Sequence, residues 1–317
     1  MSTQQTDLSI IIVNWNTRDL LIQCLQSLDD TAESEFDVWI VDNGSSDGSV
    51  AAVREQFPHV HLIANSENVG FVRANNQVLA RCQGRYVLLL NSDTEALPNS
   101  VDETVEFMET HPNAGILGVR LLNPDRTFQA SYTVFPTLWR EFLILSGLGR
   151  WLIRPSFPSY GPQVEVGPQK IVGYMEGAYL MARREAVKQV GGLDERIFMY
   201  AEEVDWCYRF HQAGWEVWYL PQTPIVHHGG QSTKKRQRRM EAELYRSRVY
   251  FFRKHYGKIT ANCLKILIYT ITLVKMLVHR LLRFVTRGRR GRLVTGWREL
   301  HRALNSVDSA FEGTVTS

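Results

Sequence analysis

The sequence has little cysteine, and no arrangement of cysteine that would hold a metal or a disulfide framework. Its 317 residues include four cysteines, none of them in a CxxC pair: Cys24, Cys82, Cys207 and Cys263. Scattered single cysteines favour a reducing compartment over a secreted, disulfide-stabilised protein. The N-terminal segment MSTQQTDLSIIIVNW also lacks the basic stretch that begins a secretory signal, so no signal peptide is predicted.

Glycine-rich phosphate loops are also absent. The sequence contains neither a GxGxxG fingerprint nor a P-loop, so a nucleotide's phosphates are not expected on either kind of loop. Internal repeats and low-complexity segments are lacking as well. What is left is the composition of an ordinary globular protein, with 44% hydrophobic and 22% charged residues.

The chain alternates short apolar runs with helix-period segments. Strands are predicted at 8–15, 36–43, 59–65, 85–93 and 215–220. Helices are predicted at 18–28, 47–57, 69–82, 98–111, 183–190 and 202–212. This alternation predicts an α/β fold, a mainly parallel sheet with helices on both faces. Prolines and aromatics break the rhythm at 123–170, which we interpret as an irregular excursion over the sheet that could set specificity.

Polar side chains follow four of the predicted strands. Ligands bind outside the carboxyl ends of strands in open parallel sheets, so these side chains are expected to line one crevice. Each tip taken alone is ordinary turn chemistry. The tips carry Asn14 and Asn16; Asp42, Asn43 and Asp47; residues 65–68; and Asn91, Ser92 and Asp93.

Two of these tips permit a specific chemistry. In VDNGSSDGS (41–49), Asp42 could accept hydrogen bonds from a nucleobase while its neighbours line a ribose pocket; alternatively, the segment is a turn in which Asp47 caps the next helix. In LLLNSDTE (88–95), Asp93 could bind Mg²⁺ or Mn²⁺ together with a substrate's phosphates. Because no glycine-rich phosphate loop is present, a metal-bridged diphosphate is the favoured interpretation.

Two later segments add acids and histidines. In MYAEEVDWCYRF (199–210), helical spacing stacks Glu202 with Asp205, and Glu203 projects about 100° away. The alternative is a solvated charged helix. In PIVHHGGQS (224–232), paired histidines precede two glycines. Imidazole is the commonest metal ligand at neutral pH, and a buried core histidine is the competing explanation.

Together these segments resemble the family 2 glycosyltransferases, most closely their rhamnosyltransferase-like branch. The matching stretches are IIVNWN (11–16), VDNGSSDGS (41–49), NVGFVRANN (68–76), LLLNSDTE (88–95), EGAYLMARREAVKQVGGLDE (176–195), MYAEEVDWCYR (199–209) and VHHGGQS (226–232). The resemblance covers roughly residues 8–232. It implies a GT-A (Rossmann-like) fold, a nucleoside-diphosphate sugar donor, a divalent metal (Mn²⁺ or Mg²⁺) and transfer with inversion.

The resemblance also assigns roles to individual residues. Asp42 would contact the donor base, Asp93 would bind the metal as the last residue of a DxD-like motif, and His227 would touch metal or diphosphate. Glu203 would be the catalytic base, with Glu202 and Asp205 as neighbouring alternatives. The other expected contacts are Asn14, Asn16, Asn43, Asp47, Asn68, Gly70, Arg73, Asn91 and Ser92 on the donor side, and Glu176, Gly177 and Trp206 on the acceptor side.

The sequence departs from the family pattern at two of these positions. Asn91 replaces the first carboxylate of the DxD-like motif, so metal binding would depend more on substrate phosphate and His227. Glu203 stands where aspartate is usual, which lengthens the side chain by one methylene. These departures keep open a nucleotide-sugar-binding protein without turnover.

The C-terminal part is strongly basic. Residues 230–297 hold 18 Lys and Arg against two acids, while the other residues hold 18 basic and 31 acidic side chains. Lys265 and Lys275 leave nine uncharged residues between them, which argues against a spanning helix. At helical spacing Lys265, Thr272, Lys275, His279 and Arg283 fall within about 80°, opposite a wide apolar face. An amphipathic interfacial helix at about 259–285 on anionic lipid is predicted.

Two alternatives remain for this C-terminal part. The helix could pack on the catalytic domain or on a second subunit, which would make a homo-oligomer. The basic runs KKRQRR (234–239) and RGRRGR (287–292) could bind nucleic acid, but no known recognition module accompanies them, so nucleic acid is the weaker alternative.

These inferences divide the chain into a catalytic domain at 1–232, with an acceptor-side excursion at 123–170, and a basic helical region at 233–317. They predict an inverting, metal-dependent glycosyltransferase of bacterial surface polysaccharide synthesis, peripheral on the cytoplasmic face of the inner membrane. The expected donor is dTDP-rhamnose, with a UDP-hexose as the alternative. The expected acceptor is a glycan or a polyprenyl-linked saccharide.

Overall fold

The computed structural model describes residues 7–31, 34–152, 163, 166–229, 237–285 and 297–312. The chain forms two compact units. The first comprises Met1–Phe135, Pro155–Glu195 and Glu202–Ser232, and the second comprises Pro136–Arg154, Arg196–Ala201 and Thr233–Ser317. The second unit therefore takes two short segments from within the expected catalytic region. Predictions that fall on residues 1–6, 153–162, 230–236 and 286–296 lie outside the described residues.

The first unit alternates strands and helices, as the sequence predicted. Its strands are β1 (Leu8–Asn14), β2 (Phe36–Asp42), β3 (His61–Ala64), β4 (Tyr86–Asn91), β5 (Thr94–Glu95), β6 (Ala114–Leu122), β7 (Tyr132–Thr133), β8 (Gln169–Lys170), β9 (Tyr174–Met175), β10 (Tyr179–Arg183) and β11 (Glu216–His227). Its helices are α1 (Arg18–Thr31), α2 (Ser49–Gln56), α3 (Phe71–Leu79), α4 (Ser100–Thr110), α7 (Arg184–Val190) and α8 (Glu202–Gln212).

The main sheet runs in the order β3-β2-β1-β4-β10-β6-β11-β5, with β8 paired to β11. The pairs β1–β2, β1–β4, β2–β3 and β6–β11 are parallel. Ile10, Ile11 and Ile12 of the central β1 are all fully buried, because helices cover both faces of such a sheet. Burial of each such side chain contributes roughly 1.5–3 kcal/mol to folding.

Strand β10 runs antiparallel between β4 and β6, and neither β10 nor β6 was predicted from the sequence. The two glycines of β6 weaken its strand signal. In the fold both glycines are required by close packing: a Cβ at Gly115 would meet Phe210 and Trp215, and one at Gly118 would meet Met175. Local strand propensity therefore fails to predict β6, because its two glycines are set by tertiary packing.

The short pairing of β5 with β11 brings two distant segments together. β5 begins directly after Asp93 and pairs antiparallel with the end of β11, so that His227 lies opposite Thr94. The His228 N–H donates to the Asp93 carbonyl at 2.9 Å. The end of β11 is thereby fixed beside the polar tip of β4.

The second unit is helical in its described residues. It contains α5 (Leu138–Ser146), α6 (Gly149–Leu152), α9 (Gln237–His255), α10 (Gly257–Val285) and α11 (Trp297–Glu312). Helix α10 confirms the helix predicted at about 259–285. It packs against α9 and α5, and α11 packs against α9.

The length and composition of α10 correct one inference from the sequence. In the described part of the chain, the 24-residue stretch Gly257–Arg280 is long and apolar enough to cross a membrane, by length and composition alone. The spacing of Lys265 and Lys275 therefore does not by itself exclude a spanning helix. The Lys265 ammonium is also paired, 2.7 Å from Asp308 Oδ2 of α11.

Candidate active site

The tip of β1 is tied to the tip of β2 by buried hydrogen bonds. Asn14 Nδ2 donates to Asp42 Oδ2 at 2.8 Å and to Ser45 Oγ at 3.2 Å, and the Ser45 N–H donates to Asp42 Oδ1 at 2.9 Å. Asp42 is 2% exposed. Both of its oxygens already accept a bond from the protein, and each keeps a second acceptor position. Asn14 and Asp42 therefore hold each other in place at the tips of β1 and β2.

Asp47 serves the starts of two helices. One of its carboxylate oxygens accepts from the N–H of Arg18 at 2.9 Å, and the other accepts from the N–H and hydroxyl of Ser49. Burial acts to raise the pKa of Asp47, but these hydrogen bonds outweigh it and hold the pKa below its usual value. Nearby, Asn16 Oδ1 accepts from the Ser46 N–H at 2.8 Å. Asp47 thus binds N–H groups at the starts of two helices, although the N-cap residue of α2 is Gly48.

Asn43 joins β2 to the loop before α3. Its Nδ2 donates to Asn68 Oδ1 at 3.3 Å and to the Gly70 carbonyl at 3.2 Å, and its Oδ1 accepts from the Val69 N–H. Arg73, one turn into α3, extends into solvent and forms a loose ion pair with Glu195 at 3.7 Å. Three strand tips are therefore linked, with an exposed guanidinium at their edge.

Asp93 and His227 lie together at the tips of β4 and β11. The Asp93 Oδ1 atom is 3.3 Å from His227 Nε2, and the two side chains are 11% and 15% exposed. Asn91 Nδ2 is 3.3 Å from the same imidazole nitrogen. Ser92 Oγ lies 2.9 Å from Thr17 Oγ1, which donates to Asn14 Oδ1 at 2.7 Å. The residues predicted to bind metal are thus adjacent and connected to the donor-side tips.

Gln129 fixes the orientation of the imidazole, and no sequence signal pointed to it. Its Oε1 lies 2.7 Å from His227 Nδ1, while its Nε2 donates to the His227 carbonyl at 3.2 Å. A proton on Nδ1 satisfies the first contact and leaves a lone pair on Nε2. Asn91 Nδ2, a donor, agrees with that tautomer, whereas the Asp93 carboxylate, 3.3 Å from Nε2, then faces a lone pair instead of a proton. The lone pair therefore points to the side on which Asp93 lies.

The donor set fits a divalent cation that a substrate helps to hold. Within the described residues no group of three or more His, Cys, Asp and Glu side chains could bind a metal. Asp93 and His227 offer one carboxylate oxygen and one imidazole nitrogen. Mg²⁺ usually takes one or two carboxylates and completes its shell with water and substrate phosphates, and imidazole suits transition metals. A two-ligand site completed by a diphosphate therefore fits these residues.

The three acidic residues of helix α8 lie in different environments. Asp205 is fully buried and its Oδ2 is 2.8 Å from Arg209 Nε, while Arg209 also donates to the Val190 and Gly192 carbonyls. Glu202 Oε2 is buried and has no hydrogen-bond partner among the described residues. Burial raises the pKa of Glu202 to about 7. Asp205 thus serves the packing of α8, and burial makes the Glu202 carboxyl much harder to ionise than an exposed glutamate.

The residues expected on the acceptor side separate in the structure. Gly177 lies beside Glu203, since a Cβ added to Gly177 would be 3.8 Å from the Glu203 Cβ. The Glu176 N–H donates to the Ser131 carbonyl at 2.8 Å. Trp206 is fully buried, and its Nε1 donates to the Gly191 carbonyl at 2.9 Å. Gly177 and Glu203 are therefore neighbours, whereas Trp206 is a packing residue of α8.

Comparison with known proteins identifies the family. The model for glycosyl transferase family 2 matches residues 9–191. The N-acetylglucosaminyl-diphospho-decaprenol L-rhamnosyltransferase of Mycobacterium tuberculosis is 31% identical over 237 residues, which cover 71% of this chain and 77% of the relative. The low-salt glycan biosynthesis hexosyltransferase Agl10 of Haloferax volcanii is 26% identical over 89% of each chain. The chain belongs to glycosyl transferase family 2.

Solved structures agree on the fold. The mannosyltransferase PcManGT from Pyrobaculum calidifontis, in complex with GDP-Man and Mn²⁺, superposes with a TM-score of 0.55 at 16% identity, over 97% of this chain and 87% of that one. GalNAc-T7 with UDP, GalNAc and Mn²⁺ also gives 0.55, at 14% identity, over 82% of this chain and 53% of that one. The GT-A fold expected from the sequence is confirmed.

Proposed function

We propose that this family 2 glycosyltransferase is an inverting, metal-dependent enzyme that transfers rhamnose from dTDP-rhamnose to a polyprenyl-linked saccharide. The observation that carries the proposal is the pairing of Asp93 with His227 Nε2, 3.3 Å apart at the polar tips of the sheet. Asp93 and His227 would hold Mn²⁺ or Mg²⁺. The metal would supply Lewis-acid neutralisation of the charge that develops on the departing diphosphate.

The proposed catalytic base is Glu203, at the start of α8. It would accept the proton of the acceptor hydroxyl as that oxygen attacks the anomeric carbon from the face opposite the diphosphate. Direct displacement inverts the anomeric centre and needs one carboxylate, whereas retention through a covalent sugar would need a nucleophile beneath the ring. Gly177 supports this role, because the absence of a side chain leaves space beside Glu203.

The donor side would consist of the linked tips of β1, β2 and β4. Asn14, Asp42 and Asn43 would face the base and ribose through their unused hydrogen-bonding positions, and Arg73 would approach the diphosphate. The similarity to a rhamnosyltransferase supports rhamnose as the sugar. The hexosyltransferase that matches 89% of this chain supports a UDP-hexose as the second candidate.

A panel of donors tests the proposed sugar. The chain would be incubated with Mn²⁺ and, in turn, dTDP-rhamnose, UDP-glucose and GDP-mannose, and release of nucleoside diphosphate would be measured with a decaprenyl-diphospho-GlcNAc acceptor. We expect kcat/KM for dTDP-rhamnose to exceed the others by about 10²-fold or more, because a site built on hydrogen bonds rejects ligands that leave its groups unpaired.

Each other outcome has a distinct meaning. Faster turnover of UDP-glucose than of dTDP-rhamnose would show that the donor is a UDP-hexose, and the proposed mechanism would still apply. Donor binding without turnover of any sugar would indicate a nucleotide-sugar-binding protein. Absence of both binding and turnover for all three donors would contradict the proposal.

The proposed location is the cytoplasmic face of a bacterial inner membrane, where a lipid-linked acceptor of surface polysaccharide synthesis would be found. The basic and apolar helix α10 supports a peripheral association with anionic lipid. The name of the M. tuberculosis relative specifies a decaprenol-linked substrate, which supports a lipid-linked acceptor here.

A further inference from the structure

Exposed apolar side chains are concentrated in the second unit. Of thirteen large hydrophobic side chains exposed in the described residues, eleven belong to this unit. They are Trp139, Leu148, Trp151 and Leu152 in the α5–α6 segment, Ile259, Ile266, Leu273, Val274, Leu277 and Val278 on α10, and Trp297 at the start of α11. Trp151 is 87% exposed and Ile259 is 82% exposed. A concentration of this kind marks an interaction site.

The orientation of α10 explains why its apolar side is outermost. Ala261, Leu264, Lys265 and Ile268 lie on its buried side, where α10 packs within the unit. The side that carries Ile259, Ile266, Leu273 and Leu277 points away from these contacts. The polar stripe expected from the sequence therefore begins against the protein, at Lys265 paired with Asp308. An apolar side that faces away from the protein is the orientation expected of a helix whose outer side lies on a bilayer.

The charges near these exposed apolar side chains favour anionic lipid as the binding partner of this surface. In α5, α6 and the Gly257–Arg280 part of α10, the sole acid is Glu141. It is buried and bonded to Arg248 Nη1 of α9 at 2.8 Å. Lys258 and Arg280 are exposed and flank the outer side of α10, whereas the exposed Lys275 belongs to the polar stripe on the other side. A surface with exposed tryptophan, aliphatic side chains and cations, and without an exposed acid, complements anionic headgroups over an acyl layer.

We propose that the α5–α6 segment and the outer side of α10 form one membrane-binding surface, seated on a bilayer that contains anionic lipid. The two parts are more than 100 residues apart in sequence, but α5 packs against α10 within the same unit. Trp139 and Trp151 would lie at headgroup level, where amphipathic rings partition. This inference deepens the proposed peripheral location, adding to α10 a second contact that the basic C-terminal sequence gives no reason to expect.

Vesicle flotation of the full-length protein tests the surface. The variants are Trp139→Ser with Trp151→Ser, and, as the matched control, Val166→Ser with Val172→Ser, two exposed apolar residues of the first unit. On vesicles of phosphatidylcholine with phosphatidylglycerol, we expect the tryptophan double variant to partition about 10–100-fold more weakly than wild type, because two large side chains leave the acyl boundary. The control should partition like wild type.

Three results would overturn the proposal. Unchanged partition of the tryptophan variant would remove α5–α6 from the surface. A wild-type chain that ignores vesicles but self-associates, with the association lost in the tryptophan variant, would identify an interface between copies. Retention on vesicles after alkaline carbonate treatment would indicate a spanning helix. Donor turnover is also measured without vesicles for wild type and the tryptophan variant. Equal turnover in the two proteins would show that a change in vesicle binding is separate from the proposed catalytic function.

Discussion

Replacing Glu203 with glutamine is expected to lower kcat for sugar transfer by about 10²–10⁴-fold, the range that a positioned general base contributes. Glutamine keeps the shape of the side chain but cannot accept a proton from the acceptor hydroxyl. The donor does not need that proton transfer in order to bind, so its KM should not change. Steady-state kinetics with saturating acceptor, together with donor titration by calorimetry, measure the two quantities separately.

The neighbouring acids provide the controls for this experiment. Glu202→Gln is expected to retain transfer, because Glu202 Oε2 is buried away from an acceptor hydroxyl and burial disfavours ionisation of this carboxyl. If Glu202→Gln abolished transfer while Glu203→Gln did not, the base would be Glu202. In that case the wild-type rate would rise with pH through about 7, the pKa of the Glu202 carboxyl. That pair of results would contradict the assignment of Glu203.

The same Glu202→Gln substitution is expected to stabilise the protein at alkaline pH by up to about 3 kcal/mol. The pKa of Glu202 is about 7 in the fold, against an ordinary value of 4.5, because burial disfavours the carboxylate. Below pH 4.5 the group is protonated in both states and contributes nothing. As pH rises from 4.5 to 7, the unfolded chain ionises first, so the wild-type free energy of unfolding falls. Above pH 7 the deficit is constant.

Urea unfolding of the two proteins at pH 5 and pH 8 measures this effect. Other titrating groups are common to both chains, so the difference between the two free energies of unfolding isolates position 202. We expect a small difference at pH 5 and a large one, in favour of the variant, at pH 8. An equal difference at both pH values would show that burial does not perturb the Glu202 carboxyl.

Much of the first unit could be predicted because its signals are local. The apolar runs that form β1, β2 and β4 end in amides and acids at the points where these strands end. Parallel pairing then places those ends at one edge of the sheet. β6 and β10 escaped prediction because glycine in β6, and the direct passage of β10 into α7, obscure their strand pattern.

The site could be predicted only in part, because some of its contacts depend on distant pairing. Asp93 and His227 were identified by motif, but their 3.3 Å approach results from the pairing of β5 with β11. Gln129 is a single amide in a loop, and it meets His227 only after β6 and β11 align. The segment 123–170, which the sequence marked as an irregular excursion, thus contains, near its start, a residue that contacts His227 of the proposed metal site.

Lys265 illustrates the same limit in the second unit. Helical periodicity placed it correctly on a polar stripe, but could not tell whether the stripe faces water or protein. Its partner, Asp308, belongs to α11 and lies 43 residues further along the chain. The lysine is therefore buried and paired, and the exposed side of α10 is the apolar one.

The central claim is that Asp93 and His227 form a metal site on which transfer depends, and titration of Mn²⁺ against nucleoside-diphosphate release tests it most directly. Wild type, stripped with EDTA, should be inactive and should regain turnover with Mn²⁺ or Mg²⁺. Asp93→Asn should require about 10–100-fold more Mn²⁺ for half-maximal rate, because loss of one charged ligand removes on the order of 1.5–3 kcal/mol. Full turnover in EDTA, or an unchanged Mn²⁺ requirement in Asp93→Asn, would contradict the claim.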